Sequence, residues 1–275
     1  MKVVIVGGVA GGATAAARIR RLDENAKITV FEKSGYVSYA NCGLPYYIGG
    51  AITDPEELTL QTPESFKSRF QIDVRVRHEV TSVDTKKKTV KVKNLSTGEE
   101  FEESYDKLIL SPGAKPVKPA MTGVDTDRVF ILRTVEDTLR IHKFIAENDV
   151  KSAVIAGGGY IGLEMAENLT EKGISVTIVQ RPNQVMAPLD YDMACQLHGL
   201  LRKKGITLKF GSSVTGFEEK DGLILTTLKD DEPLKSDLVI LAIGVTPDTA
   251  LAKDAGLALG IKGSITVNER METSA

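Results

Sequence analysis

Val3–Val6 is an unbroken run of four β-branched apolar residues. A strand with no polar position fits a sheet covered on both faces, as parallel sheets are. The run stops at the glycine-rich GGVAGG, Gly7–Gly12. The Ala-rich ATAAARIRRL then reads as a helix, and KITVFEK as a second buried strand ending in Glu32. Strand, glycine turn, helix, strand, acid is the order a dinucleotide-binding βαβ unit needs, with the acid about 20 residues past the last glycine. The opening MKVVIVGGVAGGATAAA also has the charged-then-apolar start of a secretory leader. Its β-branched residues, glycine cluster and basic RIRR favour strand, turn and helix, and no other apolar run could span a membrane.

The same pattern returns in SAVIAGGGYIGLEMAENLTEKGISVTIVQR, with Gly157, Gly159 and Gly162 in the turn and Gln180–Arg181 at the strand end. Each unit is followed by alternating apolar and polar segments around turns, Val80–Ala114 and Val214–Gly244, and each of these closes with an apolar strand and a glycine, Gly113 or Gly244. Lys86–Lys88 falls at such a turn and reads as a solvated hairpin loop. One βαβ fingerprint is a weak signal; two, each with a meander and a closing strand, are a strong one. The fold class is therefore α/β: two tandem Rossmann-like dinucleotide-binding domains, each with a parallel sheet and an antiparallel β-meander. The expected division is 1–115 for the first domain, 116–245 for the second and 246–275 for a return to the first. The boundary lies in SPGAKPVKPAMTGVD, where three prolines cluster.

Composition narrows the partners. The 275 residues carry a net charge of −2, with 42% apolar and 26% charged positions. No basic excess points to nucleic acid or an anionic membrane, so a small-molecule partner is expected. Cys42 and Cys195 form no disulfide framework and neither has a CxxC partner, so no metal site is expected and a reducing, cytoplasmic compartment fits best.

Glycine turns at helix starts offer phosphate oxygens close backbone N–H donors and the positive end of a helix dipole. The first turn offers Gly7, Val9, Ala10, Gly11 and Gly12, with Val9 where the middle glycine of the fingerprint belongs; the second is complete. Glu32 suits the hydroxyls of an adenosine ribose, against the plainer reading of a strand-end surface charge. Gln180 would not repel a 2′-phosphate and Arg181 could pair with one, which leans to NADPH or to both nicotinamide cofactors; a merely solvated Arg181 is an equal alternative.

Two dinucleotide sites in series suggest an electron relay from NAD(P)H to FAD, and from there to sulfur. Cys42, in SYANCGLPYY, supplies the sulfur. With Asn41 as helix cap and Pro45 in the first turn, Cys42 stands at a helix start, where N–H groups favour the thiolate that attacks disulfides. The alternative is an inert buried cysteine, the reading given to Cys195 in its amphipathic segment. His78, His142 and His198 show no nucleophile spacing and read as structural or exposed.

VVIVGGVAGGATAAARIRRLD, FEKSGYVSYANCGLPYYIGG, AVIAGGGYIGLEMAENL and VILAIGVTPDTALA resemble, along essentially the whole chain, the coenzyme A-disulfide reductases. They also resemble the persulfide reductases and the single-cysteine NADH oxidases and peroxidases of the pyridine nucleotide–disulfide oxidoreductases. The resemblance implies a nucleophilic Cys42 beside the flavin, cycling through a mixed disulfide, a persulfide or a sulfenic acid. It implies Ser38 and Asn41 at the thiol substrate, and Thr14, Arg18 and Arg21 at the coenzyme A nucleotide. Glu32 and Lys33 would hold the FAD ribose and Val80 would meet the adenine, while Ser111, Pro112 and Gly113 close over the cofactor. Tyr160, Ile161 and Glu164 would gate and line the nicotinamide pocket. It further implies a continuation beyond Ala275, with a Gly-Asp strand for FAD and a dimerisation domain, so the chain reads as a piece of a homodimeric enzyme. Two alternatives stand beside the disulfide reductase: an NADH oxidase or peroxidase, and a nucleotide-binding module without catalysis.

Overall fold

The computed structural model describes residues 1–275 as two compact units. One comprises residues 1–40, 56–115 and 246–275, the other residues 41–55 and 116–245.

The first unit opens with β1 (Lys2–Val6), α1 (Ala10–Leu22) and β2 (Lys27–Glu32). A short helix, α2 (Leu44–Gly49), follows and groups with the second unit. The chain then forms α3 (Pro63–Phe70) and β3 (Asp73–Val76), the meander β4 (His78–Asp84), β5 (Thr89–Asn94) and β6 (Glu100–Ser104), and finally β7 (Lys107–Leu110). The sheet order is β3-β2-β1-β7, all parallel, with Val6 beside both Phe31 and Leu110. That register brings Glu32, the last residue of β2, together with Gly7 and Ser111, just past β1 and β7, to the carboxyl end of the sheet. Successive residues of β1 serve opposite faces. Val3 and Ile5 pack with Ala13 and Ala16 of α1 and Phe66 of α3. Val4 and Val6 pack with Phe31 and with Val80, Val90 and Val92 of the meander. The helix layer and the meander thus each cover one face, which is why Val3–Val6 contains no polar residue.

The chain leaves this unit through β8 (Ala114–Pro116). The second unit holds β9 (Val129–Ile131), α4 (Val135–Glu147), β10 (Ser152–Ala156), α5 (Tyr160–Glu171), β11 (Ser175–Gln180), α6 (Tyr191–Lys203) and β12 (Thr207–Phe210). Its meander is β13 (Val214–Lys220), β14 (Leu223–Leu228) and β15 (Asp231–Ser236), before β16 (Leu238–Leu241). The parallel order is β12-β11-β10-β16-β9. Val154, Ala156 and Val239 pack against Phe217, Ile224 and Leu228 of the meander. The chain returns through β17 (Val245–Pro247) to α7 (Ala250–Asp254) in the first unit.

The two units share three backbone hydrogen bonds around their glycine turns. Gly7 N–H donates to the Phe31 carbonyl and Gly157 N–H to that of Val179, each at 2.9 Å. Ser111 N–H donates to Val6, and Ala242 N–H to Ala156. Ser38 N–H donates to Gly8, and Met186 N–H to Gly158. Lys86–Lys88 caps the β4–β5 hairpin in solvent, where Asp84 accepts from the Lys86 and Lys87 N–H groups.

Candidate functional site

In the first turn, α1 starts at Ala10, with Val9 as N-cap. No side chain caps the helix and no acid lies in its first turn. The Val9 carbonyl takes the Ala13 N–H, so the N–H groups of Ala10, Gly11 and Gly12 have no partner within the helix. Ala10 and Gly11 are exposed. The turn is pressed against the end of β7: a Cβ on Gly11 would stand 3.2 Å from Ser111 Oγ. Glu32 is buried, its Oε2 accepting from Gly8 N–H at 2.7 Å and its Oε1 from Ser34 N–H at 2.8 Å. Each carboxylate oxygen keeps a second lone pair. An uncapped helix start beside a fixed acceptor pair fits a pyrophosphate joined to a ribose, so these residues suit a bound dinucleotide. Ser38, whose N–H meets Gly8, adopts φ +51°, a left-handed conformation unusual for serine.

Other predicted residues stand elsewhere in this unit. Val80 is buried in the core between sheet and meander. Thr14, Arg18 and Arg21 are exposed on α1 at spacings that share one face, and neither arginine is in an ion pair. Arg20 between them is structural, donating to the carbonyls of Asp23, Glu24, Ala26, Phe70 and Gln71.

Lys33 Nζ meets the buried Asp248 at 3.1 Å, and Lys115 Nζ meets the other Asp248 oxygen at 2.8 Å. Asp248 N–H also holds the Gly113 carbonyl. Asp248 therefore ties the end of β2, the Ser111–Gly113 segment and the returning chain together, a role that no motif announced. Burial opposes its ionisation, but hydrogen bonds from Lys115 and Lys33, with their charges, outweigh burial and hold its pKa below the ordinary carboxylate value. A depressed folded pKa means the contribution is present above the unfolded value of about 4 and is lost as pH falls through the folded one. Asp248→Asn is thus expected to destabilise the protein by about 1–2 kcal/mol at neutral pH, a modest figure because both lysines are half exposed. Thermal melts of variant and wild type should converge below pH 4.

In the second turn, Gly159 is the N-cap of α5, again with no side-chain cap and no acid in the first turn. A Cβ on Gly159 would meet nothing within 4 Å, so this middle position is sterically open, and its counterpart Val9 needs no glycine for the fold's sake. Tyr160 begins the helix 68% exposed, with Ile161 and Glu164 half-buried behind it. Burial, then the neighbouring Glu167 carboxylate, raises the Glu164 pKa. Gln180 takes the place of Glu32, its Oε1 accepting from Gly158 N–H at 2.9 Å and its Nε2 donating to the Gln184 carbonyl at 3.2 Å. Arg181 is exposed and unpaired. Gly244, at φ +120°, accepts the Val117 N–H at the strand exit.

The cysteine segment corrects one expectation. Asn41 does not cap a helix. It opens a 3-10 turn, Asn41–Gly43, and its Oδ1 is buried without a hydrogen-bond partner. The cap of α2 is Gly43, because Pro45, which lacks an N–H, occupies the first helical turn and fixes the start at Leu44. Cys42 stands in the 3-10 turn, exposed, while Cys195 is half-buried on α6. The segment is anchored on the second unit. Leu44, Tyr47 and Ile48 are buried, and the Tyr47 ring lies 4.8 Å from His142. Gly49 approaches α5 so closely that a Cβ would overlap Asn168. Burial, then Lys172, lowers the His142 pKa, so that ring packs uncharged at neutral pH.

Two repeated βαβ folds, each with a glycine turn at a helix start, are the architecture of a dinucleotide-binding protein, and the chain belongs to the pyridine nucleotide-disulphide oxidoreductase family, whose pattern it matches over residues 1–275. It is 39% identical over 273 residues to a coenzyme A disulfide reductase of Staphylococcus haemolyticus, covering 99% of this chain and 60% of that one. Its fold superposes on reduced Bacillus anthracis CoADR-RHD with a TM-score of 0.96 and 48% identity, over 99% of this chain and 49% of that one. An NAD-dependent persulfide reductase from A. fulgidus matches at TM-score 0.95 and 36% identity, over 100% of this chain and 52% of that one. The chain thus spans about half to three-fifths of the length of these relatives.

Proposed function

We propose that the first unit binds FAD and the second NAD(P)H, and that the protein reduces coenzyme A disulfide, or a related persulfide, through Cys42. The observation that carries this reading is the duplicated turn: twice, an uncapped helix start faces a strand-end acceptor, on a chain that also exposes one thiol in a turn of its own. FAD, when bound, accepts a hydride from the nicotinamide and supplies an electron pair to sulfur. Ala10–Gly12 and Glu32 would hold its pyrophosphate and ribose, and Tyr160–Gly162 the pyrophosphate of NAD(P)H. Cys42 Sγ attacks one sulfur of the substrate disulfide, a new S–S bond forms, and one coenzyme A leaves as its thiolate. Arg18 and Arg21, with no ion pair of their own, would receive the nucleotide phosphates of coenzyme A. A compartment that keeps thiols reduced, the cytoplasm, suits a catalytic cysteine, and a homodimer is the expected assembly.

The test is NAD(P)H oxidation by the flavin-loaded protein with coenzyme A disulfide, a persulfide, oxygen or peroxide as acceptor. Thiol release from the disulfide supports the reading; consumption of oxygen or peroxide alone replaces it with an oxidase. Nucleotide preference follows from the end of β11. Gln180 presents no negative charge and Arg181 is free, so NADPH is accommodated. Arg181→Glu is expected to weaken NADPH binding about tenfold to a hundredfold and NADH binding much less, as read by fluorescence titration.

A further inference from the structure

We infer that His198, on α6, positions the second glycine turn by holding the backbone of the loop behind it. The inference rests on reading Gly157–Gly162 as the turn that receives the nicotinamide nucleotide.

The imidazole is 4% exposed and its Nε2 accepts the Val185 N–H at 3.2 Å, so that nitrogen carries no proton. Val185 is fully buried, and its Cγ1 would lie 2.7 Å from a Cβ on Gly158, so the valine is seated directly on the turn. The next N–H, that of Met186, donates to the Gly158 carbonyl at 2.7 Å. Gly158 N–H donates to Gln180 Oε1, and Gln180 Nε2 returns to the carbonyl of Gln184, the residue before Val185. The bonds close a ring: turn, strand end, loop, turn. His198 is the one side chain from a helix that enters this ring. The first unit repeats the valine and the carbonyl bond, with Val37 against Gly8 and Ser38 N–H on the Gly8 carbonyl, but has no imidazole on its valine. The second unit therefore adds a titratable latch to a shared scaffold.

The ring's surroundings keep it neutral. Its own helix presents Tyr191, with centroids 6.4 Å apart, and Arg202 one turn on; β12 presents Phe210 at 4.7 Å and the loop presents Val185. Burial, then Arg202, lowers the imidazole pKa. Once protonated, both ring nitrogens are donors, and Val185 N–H loses its acceptor. The loop is then free to leave Gly158, and the turn loses its backing.

The experiment measures ADP-ribose binding to FAD-saturated protein by calorimetry from pH 8 to pH 5, a probe with the pyrophosphate and adenosine but no 2′-phosphate. Wild type is expected to bind more weakly as pH falls through the His198 transition. His198→Leu should bind about tenfold more weakly at pH 8 with a flat pH profile. His198→Gln, whose amide oxygen can accept but does not titrate, should recover affinity to within about threefold while staying flat. In wild type, the Val185 amide resonance should titrate with the imidazole. A His198→Leu protein that matches wild type in affinity and pH profile, or a Val185 amide indifferent to that titration, overturns the role of His198. A wild type that binds no ADP-ribose, NADH or NADPH overturns the reading of the turn itself.

Discussion

Replacing Cys42 by serine in the flavin-loaded protein is expected to lower thiol release from coenzyme A disulfide by about a thousandfold or more, while NADPH still bleaches the flavin band. The two half-reactions separate because they use different parts of the chain. On the proposed reading, bleaching uses the two nucleotide sites and not the thiol, and serine at position 42 leaves the glycine turns unchanged. Thiol release needs an atom that can form and surrender a bond to sulfur, and a serine hydroxyl is a poor nucleophile towards disulfides. The position tolerates the change structurally: Cys42 is exposed in its 3-10 turn, so the variant should melt with wild type. Cys195→Ser is the matched control, since that thiol is half-buried on α6, and turnover should be kept. Stopped-flow absorbance and a thiol assay on the same samples read both halves. Undiminished disulfide turnover in Cys42→Ser would remove the cysteine from the mechanism.

What the sequence disclosed, and what it hid, follows from how local each feature is. Val3–Val6 and the two glycine clusters were legible because strand burial and turn geometry are written in consecutive residues. The duplication was legible because it repeats the same order of elements. The start of α2 was misjudged because two local signals competed, a capping asparagine and a proline, and the proline's fixed φ won. The attachment of 41–55 to the second unit was invisible, since it depends on Tyr47 meeting His142 and Gly49 meeting Asn168, partners about a hundred residues away. Asp248 and His198 were hidden for the same reason. Lys33 and Lys115 reach Asp248 from more than a hundred residues away, and Val185 meets His198 only because the loop after β11 folds back against α6. Arg20 is the subtlest case. It looks like Arg18 and Arg21 in sequence, yet one step around the helix turns a free surface charge into a clamp on five carbonyls.

Within the second turn, Gly157→Ala and Gly159→Ala are expected to part company. Gly157 sits at φ +112°, and a Cβ there would overlap the Ala242 carbonyl oxygen at the end of β16. The substitution combines a backbone conformation that alanine resists with a collision against a backbone atom that cannot rotate away. Together these should cost about 3–5 kcal/mol, a large part of a typical domain's stability. Gly7, at φ +94° against the Ser111 carbonyl, should behave alike in the first unit. Gly159 has an ordinary negative φ and open space where its Cβ would point. Alanine there should change stability by no more than about 0.5 kcal/mol, while weakening pyrophosphate binding, because the methyl group would occupy the approach to the free N–H groups of Tyr160–Gly162. Urea denaturation and NADPH titration of the two variants test the division. A Gly157→Ala protein as stable as wild type would show that the turn is not the rigid hinge between strand and helix. A Gly159→Ala protein with unchanged nucleotide affinity would show that the ligand does not approach through that opening. The first turn already carries the side chain that the second lacks, at Val9, so the two turns are expected to present their pyrophosphates at different depths.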